Sequence, residues 1–211
     1  MLESLSPAWH ACFEQAWQAY CAGTVPIGAV VTDVNGQILS RGRNRIFDEQ
    51  GEGGYLYGQT LAHAEINALI TLDVGRAERH RCILYTTVEP CPLCMGAFYM
   101  SSVRELHYAA RDPRGGSTNL LGTTPYLSLK PVKVFGPENA GFEVLNMALN
   151  TEYFLHKWGD DAETALADWE PVVPQGVALG RKLHRSGELR RMKEAESEAE
   201  EVLDWFGWIT D

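Results

Sequence analysis

No stretch of this sequence approaches the roughly 18 uninterrupted apolar residues of a membrane-crossing helix. Its opening, Met1-Leu2-Glu3-Ser4, has neither the basic start nor the apolar run of a secretion signal. No membrane partner is expected, and a cytoplasmic location is. Cysteine is scarce: five in 211 residues, an odd number that argues against a disulfide framework. Basic residues are also few, 18 Lys and Arg against 28 Asp and Glu, a balance that disfavours polyanionic partners. That deficit is uneven, because residues 1–137 carry a net charge of −1 and residues 138–211 a net of −9. There is no internal repeat, and only Glu194 to Glu201 approaches low complexity. The length allows one domain with a sizeable core, or one domain plus an appendage.

The apolar spacing from Pro7 to Ala22, in pairs every four positions, predicts a helix opened by Ser6 and Pro7. Ile27–Thr32 and Gln37–Arg41 read as strands joined by an Asn35-Gly36 hairpin turn. Residues 51–57, with three glycines and two tyrosines, read as a loop. Helical spacing returns over 60–72 and 90–100, strands are expected at 81–88, 105–110 and 132–135, and a further helix at 145–158. Strands separated by helices indicate an α/β architecture, and the leading hairpin makes the sheet mixed. Beyond that come a turn-rich connector at 169–176 and a charged helix over 187–206. The expected division is a domain at 1–158 and an acidic, mostly helical extension at 159–211, which packs Trp205, Phe206 and Trp208 on the core or on a neighbouring subunit.

Two short motifs carry the chemistry. His63-Ala64-Glu65 and Pro90-Cys91-Pro92-Leu93-Cys94 supply one imidazole and two thiolates, a borderline-soft set that suits zinc better than magnesium or calcium. A fourth ligand is missing. Structural zinc takes four protein ligands, whereas catalytic zinc takes three and leaves the fourth place to water. Water on zinc becomes acidic near neutral pH, its pKa falling from about 16 to roughly 7. Glu65 stands beside the metal as the candidate proton carrier. With both motifs at helix starts, the positive ends of the helices favour thiolate at Cys91 and Cys94. Cys12, Cys21 and Cys82 are read as small buried hydrophobes.

Taken together, in this order and behind the strand Val25-Pro26-Ile27-Gly28-Ala29-Val30, these motifs resemble the cytidine deaminase-like superfamily, in its branch of tRNA adenosine, guanine and cytosine deaminases. The likeness runs from Val25 through Asn44 to about Asp112, and His-x-Glu followed by Pro-Cys-x-x-Cys is the zinc-deaminase signature. The resemblance implies a three-layer α/β/α fold with a mixed sheet of about five strands, and one Zn2+ per chain on His63, Cys91 and Cys94. It implies Glu65 as catalytic acid and base, and substrate contacts from Asn44, the backbone N–H of Ala64 and the carboxylate of Asp112. It also implies assembly as a homodimer or higher homo-oligomer.

The substrate stays open at this stage. A free nucleobase or nucleoside is favoured by the acidic balance and by the loop at 51–57. Wobble adenosine of tRNA is favoured by Asn44, Ala110-Arg111-Asp112 and the run from Glu89 to Ala97. Arg41, Arg43 and Arg45 alternate on a strand, as a solvated edge or as phosphate contacts. Tyr55, Tyr57, Phe98, Tyr99 and Tyr108 are core or loop residues, or stacking partners for a base. A third reading is an inactive, zinc-stabilised binding protein, which requires a fourth protein ligand such as Cys82 or His80.

Overall fold

The computed structural model describes residues 5–51 and 53–210, the side chains of 208–210 excepted. A five-stranded mixed sheet has the order β2-β1-β3-β4-β5, built from β1 (Gly28–Thr32), β2 (Ile38–Arg43), β3 (Ile83–Val88), β4 (Glu105–Ala110) and β5 (Lys133–Phe135). β1 pairs antiparallel with both β2 and β3, while β3, β4 and β5 run parallel. All five residues of β1 are buried, as a strand covered on both faces requires. Val30 faces one helical layer, while Ala29 and Val31 face the other.

The first layer holds α1 (Pro7–Cys21) and α5 (Ala140–Trp158), and the second holds α2 (Ala64–Ile70) and α4 (Pro92–Ser101). The expected three-layer α/β/α arrangement is therefore the observed one. The turn between β1 and β2 is organised by Asp33, whose Oδ1 accepts from the N–H groups of Asn35 (2.8 Å) and Gln37 (2.9 Å). A short α3 (Arg76–Arg79) precedes β3.

The C-terminal part departs from expectation. α5 begins at Ala140 rather than 145, because Asn139 caps it by accepting from Phe142 N at 2.9 Å. The expected connector at 169–176 is a turn over residues 170–173, narrower than expected: α6 (Glu163–Trp169) ends before it and α7 (Pro174–Ser186) begins after it, with Pro174 as its first residue. α7 reaches α5 through Gly176 and Gly180. A Cβ on them would stand 2.6 Å from Met147 Cβ and 2.4 Å from Thr151 Cβ. The expected helix over 187–206 is two, α8 (Glu188–Glu194) and α9 (Ala199–Thr210), broken where Glu196 takes φ 55°.

These helices share the core of α1 and α5. Leu183, Leu189, Val202 and Phe206 cluster with Trp9, Phe13 and Trp17. Trp17 Nε1 donates to Ser197 O at 2.7 Å, and Tyr20 donates to the fully buried Glu152 at 2.6 Å. Phe206 is fully buried there and Trp205 packs beside it. The expected packing of Trp208 lies outside the described residues.

Candidate metal and catalytic site

α2 and α4 begin at one place, and both begin with a ligand. His63 and Cys91 are the residues before the first helical turn, each with extended backbone, and Cys94 follows in the first turn of α4 behind Pro92. α2 can lie this close to the sheet because β2 carries Gly42: a Cβ there would stand 2.3 Å from Ala64 O and 2.4 Å from Ala68 N. A glycine inside a strand marks such a backbone approach.

His63 Nδ1 lies 3.6 Å from Cys91 Sγ and 3.4 Å from Cys94 Sγ, and the two sulfurs are 3.7 Å apart. Zinc bonds of about 2.3 Å to sulfur and roughly 2.0–2.1 Å to nitrogen give tetrahedral edges near ~3.8 Å (S to S) and ~3.6 Å (S to N). The triangle fits zinc. A hydrogen bond with the Thr60 backbone holds the imidazole from outside, the kind of support that orients metal-binding histidines. Cys91 is held down at about 4, first by its sulfur–sulfur hydrogen bond with Cys94 and then by His63. Its contact with Cys91, and then burial, push Cys94 well up. Metal binding to such a set releases its remaining protons.

Glu65 stands beside the triangle without belonging to it. Its carboxylate is buried, accepting from Thr86 Oγ1 at 3.2 Å and from Cys94 Sγ at 3.3 Å. Burial raises its pKa, and the charge of His63 opposes the rise. Among the described residues, the groups able to hold a metal reduce to His63, Cys91 and Cys94. Cys82 and His80, the fourth ligands that the binding-protein reading requires, lie at the opposite end of β3. Cys82 there directs its thiol to Glu78 O at 3.5 Å.

Asn44 follows β2 and is 3% exposed. Its Oδ1 accepts from Thr24 Oγ1 at 2.7 Å and from the N–H of Ile46 at 3.1 Å. A backbone N–H can only donate, so Oδ1 is the atom committed to the protein and the amide NH2 is the end left for a ligand. Ala64 is fully buried at the first position of α2, where a backbone N–H has no partner within the helix. Asp112 has a structural attachment: its Oδ1 accepts from Trp169 Nε1 at 2.9 Å and from Arg114 N at 3.0 Å.

Sequence reasoning passed over four residues that hold these parts in place. Thr86 and Thr24 orient Glu65 and Asn44. Glu89, next to the second motif, accepts from Thr118 Oγ1 at 2.5 Å and from Asp112 N at 3.4 Å, fixing the loop after β4. Asn67, inside α2, bonds both the N–H and the carbonyl of Leu56 and so ties down the glycine-tyrosine loop. The arginine stripe on β2 is neutralised: Arg41 pairs with Glu14, while Arg43 and Arg45 pair with Asp48. Phe98 and Tyr99 are core residues, while Tyr55 lies under the Arg45 guanidinium at 4.7 Å.

The region described as "Cytidine and deoxycytidylate deaminase zinc-binding region" matches residues 3–110. The chain is 38% identical over 112 residues to a tRNA-specific adenosine deaminase of Bacillus subtilis (strain 168), covering 51% of this chain and 63% of that one. To a guanine deaminase of the same organism it is 34% identical over 87 residues, covering 40% and 50%. These matches span less than two thirds of either relative. A solved structure of guanine deaminase from Nitrosomonas europaea is similar over 70% of this chain and 84% of that one, with a TM-score of 0.55 and 26% identity. Both motifs, and the strands and helices that aim them, lie inside the matched stretch, and the chain belongs to the cytidine and deoxycytidylate deaminase zinc-binding family.

Proposed function

We propose that this protein is a zinc-dependent hydrolytic deaminase that replaces an exocyclic amine of a nucleobase or nucleoside by a keto group and releases ammonia. The observation that carries this reading is the buried Glu65 carboxylate beside a three-ligand cluster. Zinc held by His63, Cys91 and Cys94 would supply an acidified water and a polarising charge. Glu65 accepts a proton from the attacking water as its oxygen bonds to the ring carbon, and gives it to the ring nitrogen. It then carries a second proton to the amine, the carbon–nitrogen bond breaks and ammonia leaves. Thr86 keeps the carboxylate aimed. The free amide end of Asn44 offers donors to the edge of the base, and the N–H of Ala64 offers one more. Asp112 adds a contact through the oxygen that Trp169 and Arg114 leave uncommitted.

A free base or nucleoside is the preferred substrate class. The arginines nearest the site are already paired with Glu14 and Asp48 and have little left for phosphates. Similarity to tRNA-specific adenosine deaminases supports a second reading, inosine formation at the wobble position. Ammonia release from guanine, guanosine, adenosine and cytosine, run beside inosine formation in an anticodon stem-loop, separates the two. Turnover on the RNA alone overturns the preference for small substrates.

Association of two chains is part of the same proposal. α4, which is capped by Cys91 and carries Cys94, presents Leu93 (37% exposed), Gly96 and Met100 (60% exposed) along one side. Those residues recur at helical spacing, and an apolar strip of this kind suits a second copy. Met100→Glu is expected to convert a dimer to a monomer in light scattering. A wild-type chain that runs as a monomer refutes the pairing.

A further inference from the structure

At the end of the sheet opposite the zinc ligands lies a second cavity of about 610 Å³. Its lining includes Arg81, Arg104, Lys133, His80, Glu105 and Pro131. In α/β sheets, catalytic ligands gather at the carboxyl ends of the parallel strands, where His63, Cys91 and Cys94 already stand. The amino ends are where this cavity opens, so the deaminase chemistry does not account for it.

Its cations are arranged by the sheet. Ile83, Glu105 and Lys133 are in register across β3, β4 and β5. Arg81 stands two residues before Ile83 and Arg104 one before Glu105, so the three cations follow a diagonal over the amino ends of three neighbouring strands, about 6 Å between successive backbone positions. Gathering like charges is unfavourable unless something offsets it. The protein offsets little of it. Arg81 is exposed, and while its backbone N–H donates to Glu78 O at 2.9 Å, among the described residues its guanidinium makes no hydrogen bond or ion pair and acts on Asp33 only through its charge. Arg104 spends one N–H on Val103 O at 3.0 Å. Lys133 is 3.5 Å from Glu105, which also accepts from His107 at 3.0 Å. Arg104 and Arg76 press in turn on the nearby ammonium of Lys130. In a chain of net charge −10, residues 76–133 carry eight bases against four acids.

We infer that this cavity is a binding site for a phosphate-bearing anion, with Arg81 and Arg104 as its main donors and Lys133 as a supporting charge. Guanidinium groups match phosphate oxygens in pairs of hydrogen bonds, and Arg81 has its whole set to give. The phosphate belongs either to a free polyphosphate or nucleotide, or to the backbone of an RNA whose reactive base lies at the far end of the molecule.

Calorimetric titration of the zinc-loaded protein at low salt with inorganic triphosphate, ATP and an anticodon stem-loop tests the site. Arg81→Glu/Arg104→Glu is expected to weaken binding by about tenfold or more, with a shallower salt dependence. Lys182→Glu/Arg185→Glu, an equal change of charge on exposed residues of α7, is expected to leave it unchanged. Arg81→Ala/Arg104→Ala serves as the milder variant, with zinc content and melting temperature showing that the fold is kept. Triphosphate and ATP binding identifies a free ligand, and binding of the stem-loop alone identifies an RNA backbone. No binding of any of the three to the wild type, or equal weakening in both charge-reversed proteins, overturns the inference. Binding is read without turnover, so a failed deaminase assay leaves this result standing and a failed titration leaves the deaminase reading standing.

Discussion

The two ends of β3 carry the same kinds of residue and do different things with them. At the amino end stand Cys82, His80 and Glu78; three residues past the carboxyl end comes Cys91, with Cys94, His63 and Glu65 around it. At the carboxyl end two helices start together, and three ligand atoms converge within 4.8 Å. At the amino end the cysteine is spent on a backbone carbonyl of its own turn, Glu78 accepts from the N–H of Gly75 at 3.0 Å, and His80 opens to the cation-lined cavity. Residue type alone does not make a metal site. Convergence does, and here it comes from paired helix starts seated on a strand that has a glycine beneath them.

Breaking the carboxyl end should have the largest effects. Cys94→Ser is expected to leave almost no zinc in the purified protein by atomic absorption and no measurable ammonia release, because a hydroxyl is a poor substitute for thiolate. Full zinc content in that variant would contradict the ligand assignment. Glu65→Gln keeps shape and volume while removing the proton carrier. It should retain one zinc per chain and lose about 10²–10⁴-fold in kcat. Retained turnover would remove Glu65 from the mechanism and, with it, the main difference in chemistry between the two ends.

Smaller effects test how the ends were built. Gly42→Ala forces a methyl against the backbone of α2, which cannot give as a flexible side chain would. A loss of about 2 kcal/mol in stability is expected, in the usual range for overpacking, together with weaker zinc retention under chelator challenge. A loss of stability without any change in zinc retention would show that α2 does not depend on Gly42 to aim His63. Thr86→Val leaves one oxygen of a buried carboxylate without its donor, a cost of roughly 1–3 kcal/mol. Here kcat should fall about tenfold with KM little changed, since the hydroxyl touches Glu65 and not the base. A rise in KM at constant kcat would move Thr86 from positioning to substrate binding.

The same contrast explains what could be read in advance. The carboxyl end was legible because its ligands are scarce residue types in two short, ordered motifs, and local spacing is what a sequence displays. The strands and the main helices were legible from apolar period and from turn and cap residues such as Asn35-Gly36 and Pro7, while their three-layer arrangement came from the family resemblance. Thr86 was hidden, since a threonine within Ile83-Leu84-Tyr85-Thr86-Thr87-Val88 is an ordinary strand residue. Gly42 left a signal, a lone glycine in a strand, that only the helix above it explains. Within an extension expected to be mostly helical, the start of α7 was misplaced because Gly176, beside Pro174, looks like a turn in sequence, while Gly176 and Gly180 work as a smooth face against α5. The break between α8 and α9 depends on the positive φ of Glu196, which the charge pattern does not encode.

Cys82→Ala should change least, and it sharpens the comparison most directly. The thiol is 3% exposed, packed in the cluster under α2 and α4, and burial raises its pKa. A cysteine whose neutral form is favoured in this way is a weak ligand. Its removal should cost about 1 kcal/mol or less for the small volume lost, with zinc content and ammonia release as in the wild type. Loss of zinc would mean that the amino end of β3 supplies metal ligation after all, through a rearrangement that brings Cys82 some six strand residues, about 20 Å, along the sheet. In that event the site would have four protein ligands, the open position for water would be gone, and the zinc-stabilised binding protein would replace the deaminase as the reading of this chain.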